Sequence, residues 1–124
     1  MARILVIDDS MLTRHMLRQV LERAGYEVLE ASDGRVGIQI HRTTPADIVI
    51  TDILMPEQEG LETIRELQRD CPEVKIIAIS GGGQIGDYNF LTIAQRLGAR
   101  RAFQKPFVLQ DMLNAVHEVL QTHD

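Results

Sequence analysis

Three aspartates, a serine and a lysine are the residues whose types could do chemistry together. Asp8 and Asp9 follow the aliphatic run in "ILVIDDSM" (4–11), and Asp52 follows "DIVIT" (47–51). Ser80 closes "VKIIAIS" (74–80), and Lys105 follows "RAFQ" (101–104). Adjacent carboxylates repel, and burying them without a partner is costly, so solvent, a cation or a basic side chain has to offset that cost. Clustered oxyanions suit a hard cation such as Mg²⁺, which takes one or two carboxylates together with waters and phosphate oxygens; Mn²⁺ suits the same donors. The lysine supplies a point charge for an anion, and the serine hydroxyl can donate to a phosphate oxygen. A carboxylate facing a metal and a lysine is a candidate nucleophile toward phosphorus, the protein's work being mainly positioning.

The elements that must position these groups follow from periodicity. "RILVI" (3–7) is continuously apolar and reads as a strand buried on both faces. Ser10 is placed to cap a helix over 11–25, with Leu12, Met16, Leu17, Val20, Leu21 and Ala24 at helical spacing and Gly25 as the stop. "YEVLEA" (26–31) is a second strand. Asp33 caps a helix to about Arg42, to which Val36, Ile38 and Ile40 bring apolar surface. "DIVIT" is the third strand, and "EGLETIRELQRD" (59–70) the third helix, with Leu61, Ile64 and Leu67 on one face. "VKIIAIS" is the fourth strand. A glycine-rich loop over 81–88 leads to a helix over 88–98, stopped by Gly98. "RAFQ" is a short fifth strand, and 108–121 the last helix, with Leu109, Met112, Leu113, Val116, Val119 and Leu120 inward.

Five strand–helix units imply an α/β fold: a doubly wound, five-stranded parallel sheet with helices on both faces. An open sheet of this kind places its site beyond the carboxyl ends of the strands, near the switch in strand order. Asp8, Asp9, Asp52, Ser80 and Lys105 all fall at that edge. A single aspartate after a strand is ordinarily a helix cap, but five such groups at one edge point to a site.

At these residues the chain resembles the receiver domain of two-component response regulators (CheY-like). The resemblance rests on "VIDDS" (6–10), "TDILMPEQEG" (51–60), "IAISGG" (77–82) and "QKPF" (104–107), whose order and spacing are specific together. It covers essentially the whole chain and implies a flavodoxin-like strand order, 2-1-3-4-5. It also implies roles. Asp52 is the expected phosphoacceptor, and Asp9 a direct Mg²⁺ ligand. Asp8 is a ligand acting mainly through water, and the Leu54 backbone carbonyl completes the protein ligands. Ser80 and Lys105 hold the phosphate, and Pro106 follows a cis peptide from Lys105. The donor is a phosphohistidine on a sensor histidine kinase or a histidine phosphotransfer protein. The phosphorylated form then acts on a downstream protein by changing a switch surface that includes Ser80, Ala102 and Phe103. On this reading the domain is a signalling phosphoacceptor that assists its own phosphorylation and dephosphorylation.

The sequence departs from the family at three places, one being the stretch from Ser80 to Gly98, which is a few residues longer than usual. The aromatic often found three residues before the lysine is Ala102 here, and Phe103 points to the opposite face of its strand, where it reads as core. The usual "MDG" before the third helix reads "QEG" (58–60). Two other functions compete. One is a Mg²⁺-dependent aspartyl-phosphate phosphohydrolase, which commonly carries "DxD" near its start, whereas here the order is "DD". The other is a degenerate receiver serving only as a docking module, which the presence of all five site residues argues against. "GGGQIGD" (81–87) lacks the "GK[ST]" of a phosphate-cradling loop.

Bulk properties exclude other classes. A chain of 124 residues makes about one domain, read as a single receiver over 1–124 with no output domain in this chain. A net charge of −5 without a basic run excludes broad nucleic-acid binding. No apolar run approaches the ~20 residues of a membrane span, and no signal-peptide core follows Met1. Cys71 is the only cysteine, a small filler beside Pro72, so no intrachain disulfide forms. Together these lead to a cytoplasmic expectation. His15, His41, His117 and His123 lie on or beside helices without metal-ligand spacing and read as solvated surface.

Overall fold

The computed structural model describes residues 1–53, 59–81 and 87–121. Its strands are β1 (Arg3–Ile7), β2 (Glu27–Ala31), β3 (Ile48–Asp52), β4 (Lys75–Ser80) and β5 (Arg101–Gln104). Its helices are α1 (Met11–Arg23), α2 (Gly34–Thr43), α3 (Glu59–Asp70), α4 (Asp87–Arg96) and α5 (Leu109–Gln121), alternating with the strands. All strand pairs are parallel, and the order is β2-β1-β3-β4-β5. This is the doubly wound, flavodoxin-like arrangement expected from the alternation.

Why the central strands are apolar without a break follows from the two cores. Along β1, Leu5 and Ile7 join the core made with α2, α3 and α4, while Ile4 and Val6 join the core made with α1 and α5. Val49, Ile76 and Ala78 fall on the first side, and Ile48, Ile50, Ile77 and Ile79 on the second. Burial on both faces removes any need for alternation. Each fully buried aliphatic side chain contributes roughly 1.5–3 kcal/mol of hydrophobic stabilisation.

The helices are bounded as their local chemistry requires. Ser10 Oγ accepts from Thr13 N–H at 3.2 Å, and Asp33 Oδ1 accepts from Val36 N–H at 2.9 Å. Gly25 and Gly98 end the turns of α1 and α4 with φ of 99° and 119°, a region side chains disfavour.

Two helix faces are narrower than their apolar residues, and one expectation is corrected. The buried strip of α1 is Thr13, Leu17 and Leu21, narrower than its apolar stripe; Leu12 is 70% exposed and Met16 39%. In α2 the buried face is Gly34, Gly37, Ile38 and His41, and Val36 faces out. Gly37 serves this face by its size, because a Cβ there would run into the Ile7 side chain. His41 is therefore not a surface residue: it is 4% exposed, and its Nδ1 accepts the Ala46 N–H at 3.0 Å. His15 and His117 are exposed, and His123 lies outside the described residues. Among the described residues, no helix is long and apolar enough to cross a membrane.

Candidate functional site

The register of the sheet brings the five residues to one edge. Asp52 ends β3 opposite Ile79, so Ser80 stands one residue further along β4. Ile53 N–H donates to Ile79 O at 2.8 Å and carries the pairing past Asp52. Ser80 O in turn accepts from Lys105 N–H at 2.8 Å, which ties the residue after β5 to the end of β4. On the other side of β3, Asp8 N–H donates to Ala31 O at 3.1 Å, extending β1 against β2 by one residue.

Side chains converge accordingly. Lys105 Nζ lies 2.9 Å from Asp8 Oδ2 and donates to Asp52 Oδ2 at 3.2 Å. Asp8 is fully buried and Asp52 is 3% exposed, while Asp9 is exposed. Half-burial alone would lower the pKa of the Lys105 ammonium; the contact with Asp8 and the charge of Asp52 outweigh it and raise that pKa above the ordinary lysine value. Ser80 is completely buried, with its hydroxyl donating to Gly81 O at 3.4 Å. The Lys105–Pro106 peptide is cis.

Asp8, Asp9 and Asp52 each offer a carboxylate oxygen, and these oxygens lie within 4.8 Å of one another. The donor set fits a hard cation: all ligands are oxygens, and three carboxylates gather where one ammonium meets two of them. Asp8 Oδ1 is taken by the Ser10 N–H at 2.8 Å. Asp8 Oδ2 is buried and meets the Lys105 ammonium at 2.9 Å as an ion pair. The Leu54 carbonyl expected as a further ligand lies outside the described residues, as do Gln58 and Gly82.

Ala102 and Phe103 sit on opposite faces of β5. Ala102 packs against the core on the α2–α4 side, and Phe103 against the core on the α1–α5 side, where its ring lies 5.9 Å from that of Phe107.

Reasoning from sequence missed several residues that shape this edge. Gly60, in the first turn of α3, packs on the backbone of Asp52 and Ile53: a Cβ would fall 2.5 Å from Asp52 O and closer still to Ile53 Cα. Its place in "QEG" was the available signal. Arg14 donates from Nη1 to Asp8 O at 2.7 Å and from Nε to Glu30 Oε1 at 3.0 Å. Arg18 closes on the other Glu30 oxygen and on Val28 O, at 2.6 and 3.0 Å. Burial works against the Glu30 carboxylate, but the two guanidinium groups prevail and hold its pKa below the usual range.

A doubly wound parallel sheet with an acid cluster, a lysine and a serine at the carboxyl edge of its strands is the arrangement expected of a receiver domain. A family model described as the response regulator receiver domain matches residues 4–117, and the chain belongs to that family. It is similar to a chemotaxis protein CheY of Thermotoga maritima, with 36% identity over 94% of this chain and 96% of the relative. It is also similar to the PilH protein of Pseudomonas aeruginosa, with 33% identity over 97% and 98%. Among solved structures, a response regulator receiver domain protein from Clostridium thermocellum superposes with a TM-score of 0.87 at 33% identity, covering 97% of this chain and 94% of that one.

Proposed function

We propose that this receiver domain takes a phosphoryl group onto Asp52 from a phosphohistidine donor, in the presence of Mg²⁺, and thereby changes the surface it offers to a downstream protein. The observation that carries this reading is the Asp52 carboxylate, nearly buried, with the Lys105 ammonium at 3.2 Å and the Asp8 and Asp9 oxygens within the same cluster.

An Asp52 oxygen attacks the phosphorus in line with the imidazole nitrogen of the donor. The new O–P bond forms as the P–N bond breaks, and the departing imidazole takes a proton. Asp8, Asp9 and Asp52 would hold the divalent ion, with Mn²⁺ able to replace Mg²⁺; when bound, it neutralises charge on the transferring group. Lys105 faces the same oxygens and supports charge on the phosphoryl group from the protein's side. Ser80, next to Asp52 in register, turns its hydroxyl toward the phosphate. That movement biases the face formed by α4, β5 and α5, to which Ala102 and Phe103 belong.

The donor has an apolar landing site. Met11 and Leu12 are 61% and 70% exposed, and Val108 61%, on the segments that flank the acid cluster. Met16, Pro106 and Phe107 line a recess of about 400 Å³ beside Lys105. A helix of a histidine kinase or phosphotransfer protein with an apolar stripe would cover these side chains.

Incubation with acetyl phosphate and Mg²⁺ should add one acid-stable, base-labile phosphate per chain, seen as a mass increase. Asp52→Asn should add none; a variant that is labelled like the wild type overturns the assignment. Multiple turnover on a phosphate monoester would favour the phosphohydrolase instead.

A further inference from the structure

Three polar atoms of Asp8 are hydrogen-bonded: its N–H donates to Ala31 O, its Oδ1 accepts from Ser10 N–H, and its carbonyl accepts from Arg14, while Oδ2 lies 2.9 Å from Lys105 Nζ. The bond to the carbonyl is made by a side chain that is neither one of the three acids nor Lys105. The Asp8 carbonyl belongs to the planar peptide that joins the two acids. Whatever holds that oxygen also sets the direction in which the next residue, Asp9, leaves the strand.

Arg14 is itself held. Its side chain is 14% exposed, and its fork spans the Asp8 carbonyl at 2.7 Å and the Glu30 carboxylate at 3.0 Å. Glu30, also 14% exposed, is fixed from the far side by Arg18, which is anchored on Val28 O. The brace therefore runs from β2 through Glu30 and Arg14 to the peptide between the acids. A guanidinium can bridge the two acceptors as a rigid fork, whereas a lysine ammonium can satisfy only one of them well.

We infer that Arg14, held by Glu30, is a positioning residue for the cation site: it fixes the Asp8–Asp9 peptide so that both carboxylates face Asp52. The inference rests on the reading that this cluster takes a divalent cation. Groups that orient metal ligands from behind typically govern affinity by roughly ten- to a hundredfold.

The sign of the effect separates positioning from simple charge. Arg14 is a cation near an acid cluster, so its charge alone repels a metal, and removing it would tighten binding. Loss of positioning weakens binding. Titration calorimetry of the full chain with MgCl₂ at fixed ionic strength reads this directly. Arg14→Met should raise the Mg²⁺ Kd roughly tenfold. Arg14→Lys, which keeps the charge and loses the fork, should move it in the same direction, and Glu30→Gln likewise by less. Circular dichroism and thermal melting in chelator establish that each variant is folded. Should Arg14→Met fail to fold, Arg14→Lys, which leaves the charge unchanged, carries the test. Unchanged or tighter binding in the folded variants overturns the inference and leaves the phosphoacceptor reading standing. A wild type that takes up no Mg²⁺ overturns both.

Discussion

Lys105 Nζ donates to Asp52 Oδ2 at 3.2 Å, although 53 positions separate the two residues in the chain. The same ammonium lies 2.9 Å from Asp8 Oδ2, so one cation from the end of β5 stands between acids from the ends of β1 and β3. Its charge offsets part of the cost of burying them.

Lys105→Met should therefore remove the ammonium that stands between two buried carboxylates. The expected loss is about 2 kcal/mol of unfolding free energy near pH 7 in chelator, measured by urea denaturation. Because the Lys105 pKa is raised by folding, this contribution is complete below the ordinary lysine value of 10.5 and fades as pH rises through the higher folded value. An unchanged denaturation midpoint would contradict the role given to this contact.

Asp9 differs from its two partners in being exposed. Asp9→Asn should leave the melting temperature in chelator almost unaltered while shrinking the rise produced by Mg²⁺. A ligand that binds only the native state at a hundred times its Kd adds about 2.7 kcal/mol, and the weaker site of the variant should recover less. Thermal melts with and without MgCl₂ measure both quantities.

At Gly60 two effects oppose each other. Replacing a helical glycine by alanine usually stabilises a helix by up to about 1 kcal/mol. Here the added Cβ would fall 2.5 Å from Asp52 O and closer to Ile53. Overpacking of this kind typically costs about 1–3 kcal/mol, so the net change should be destabilising. Gly60→Ala should lower the melting temperature and displace the amide resonances of Asp52 and Ile53; a stabilised variant would show that α3 moves away without penalty.

His41 should make stability depend on pH. Burial lowers its pKa from 6.5, with Asp70 opposing the shift, and the neutral ring is the form whose Nδ1 accepts the Ala46 N–H. A group with a depressed basic pKa contributes fully above its unfolded value and loses that contribution as pH falls through the folded one. Unfolding free energy should thus decline below about pH 6.5, by at most about 1.4 kcal/mol per pH unit. His41→Asn, which keeps an acceptor for Ala46, should flatten that slope. An equal slope in both proteins assigns the pH dependence to other groups.

Order of elements, strand polarity and the edge bearing the acids were legible because each depends on local information: hydrophobic period, caps, and the residue at which a strand ends. Asp8, Asp52 and Ser80 announced themselves as polar residues closing apolar runs, and Lys105 by following the short fifth strand. His41, Arg14 and Gly60 did not. His41 lies four residues past Gly37 on a helix face that glycines make narrow. Leu12 and Met16 matched the helical period yet stayed exposed, because α1 buries only the strip that meets the sheet and α5.

The sequence by itself determined the five strand–helix units and the set of charged side chains at the strand ends, since period and termini are written in neighbouring residues. Only the tertiary structure decided which charges meet. The Lys105–Asp52 distance, the bracing of the acid pair by Arg14 and Glu30, and the close approach of Gly60 to Asp52 all depend on strand order and register. Those are global outcomes of packing two cores at once, and no local stretch of the chain encodes them.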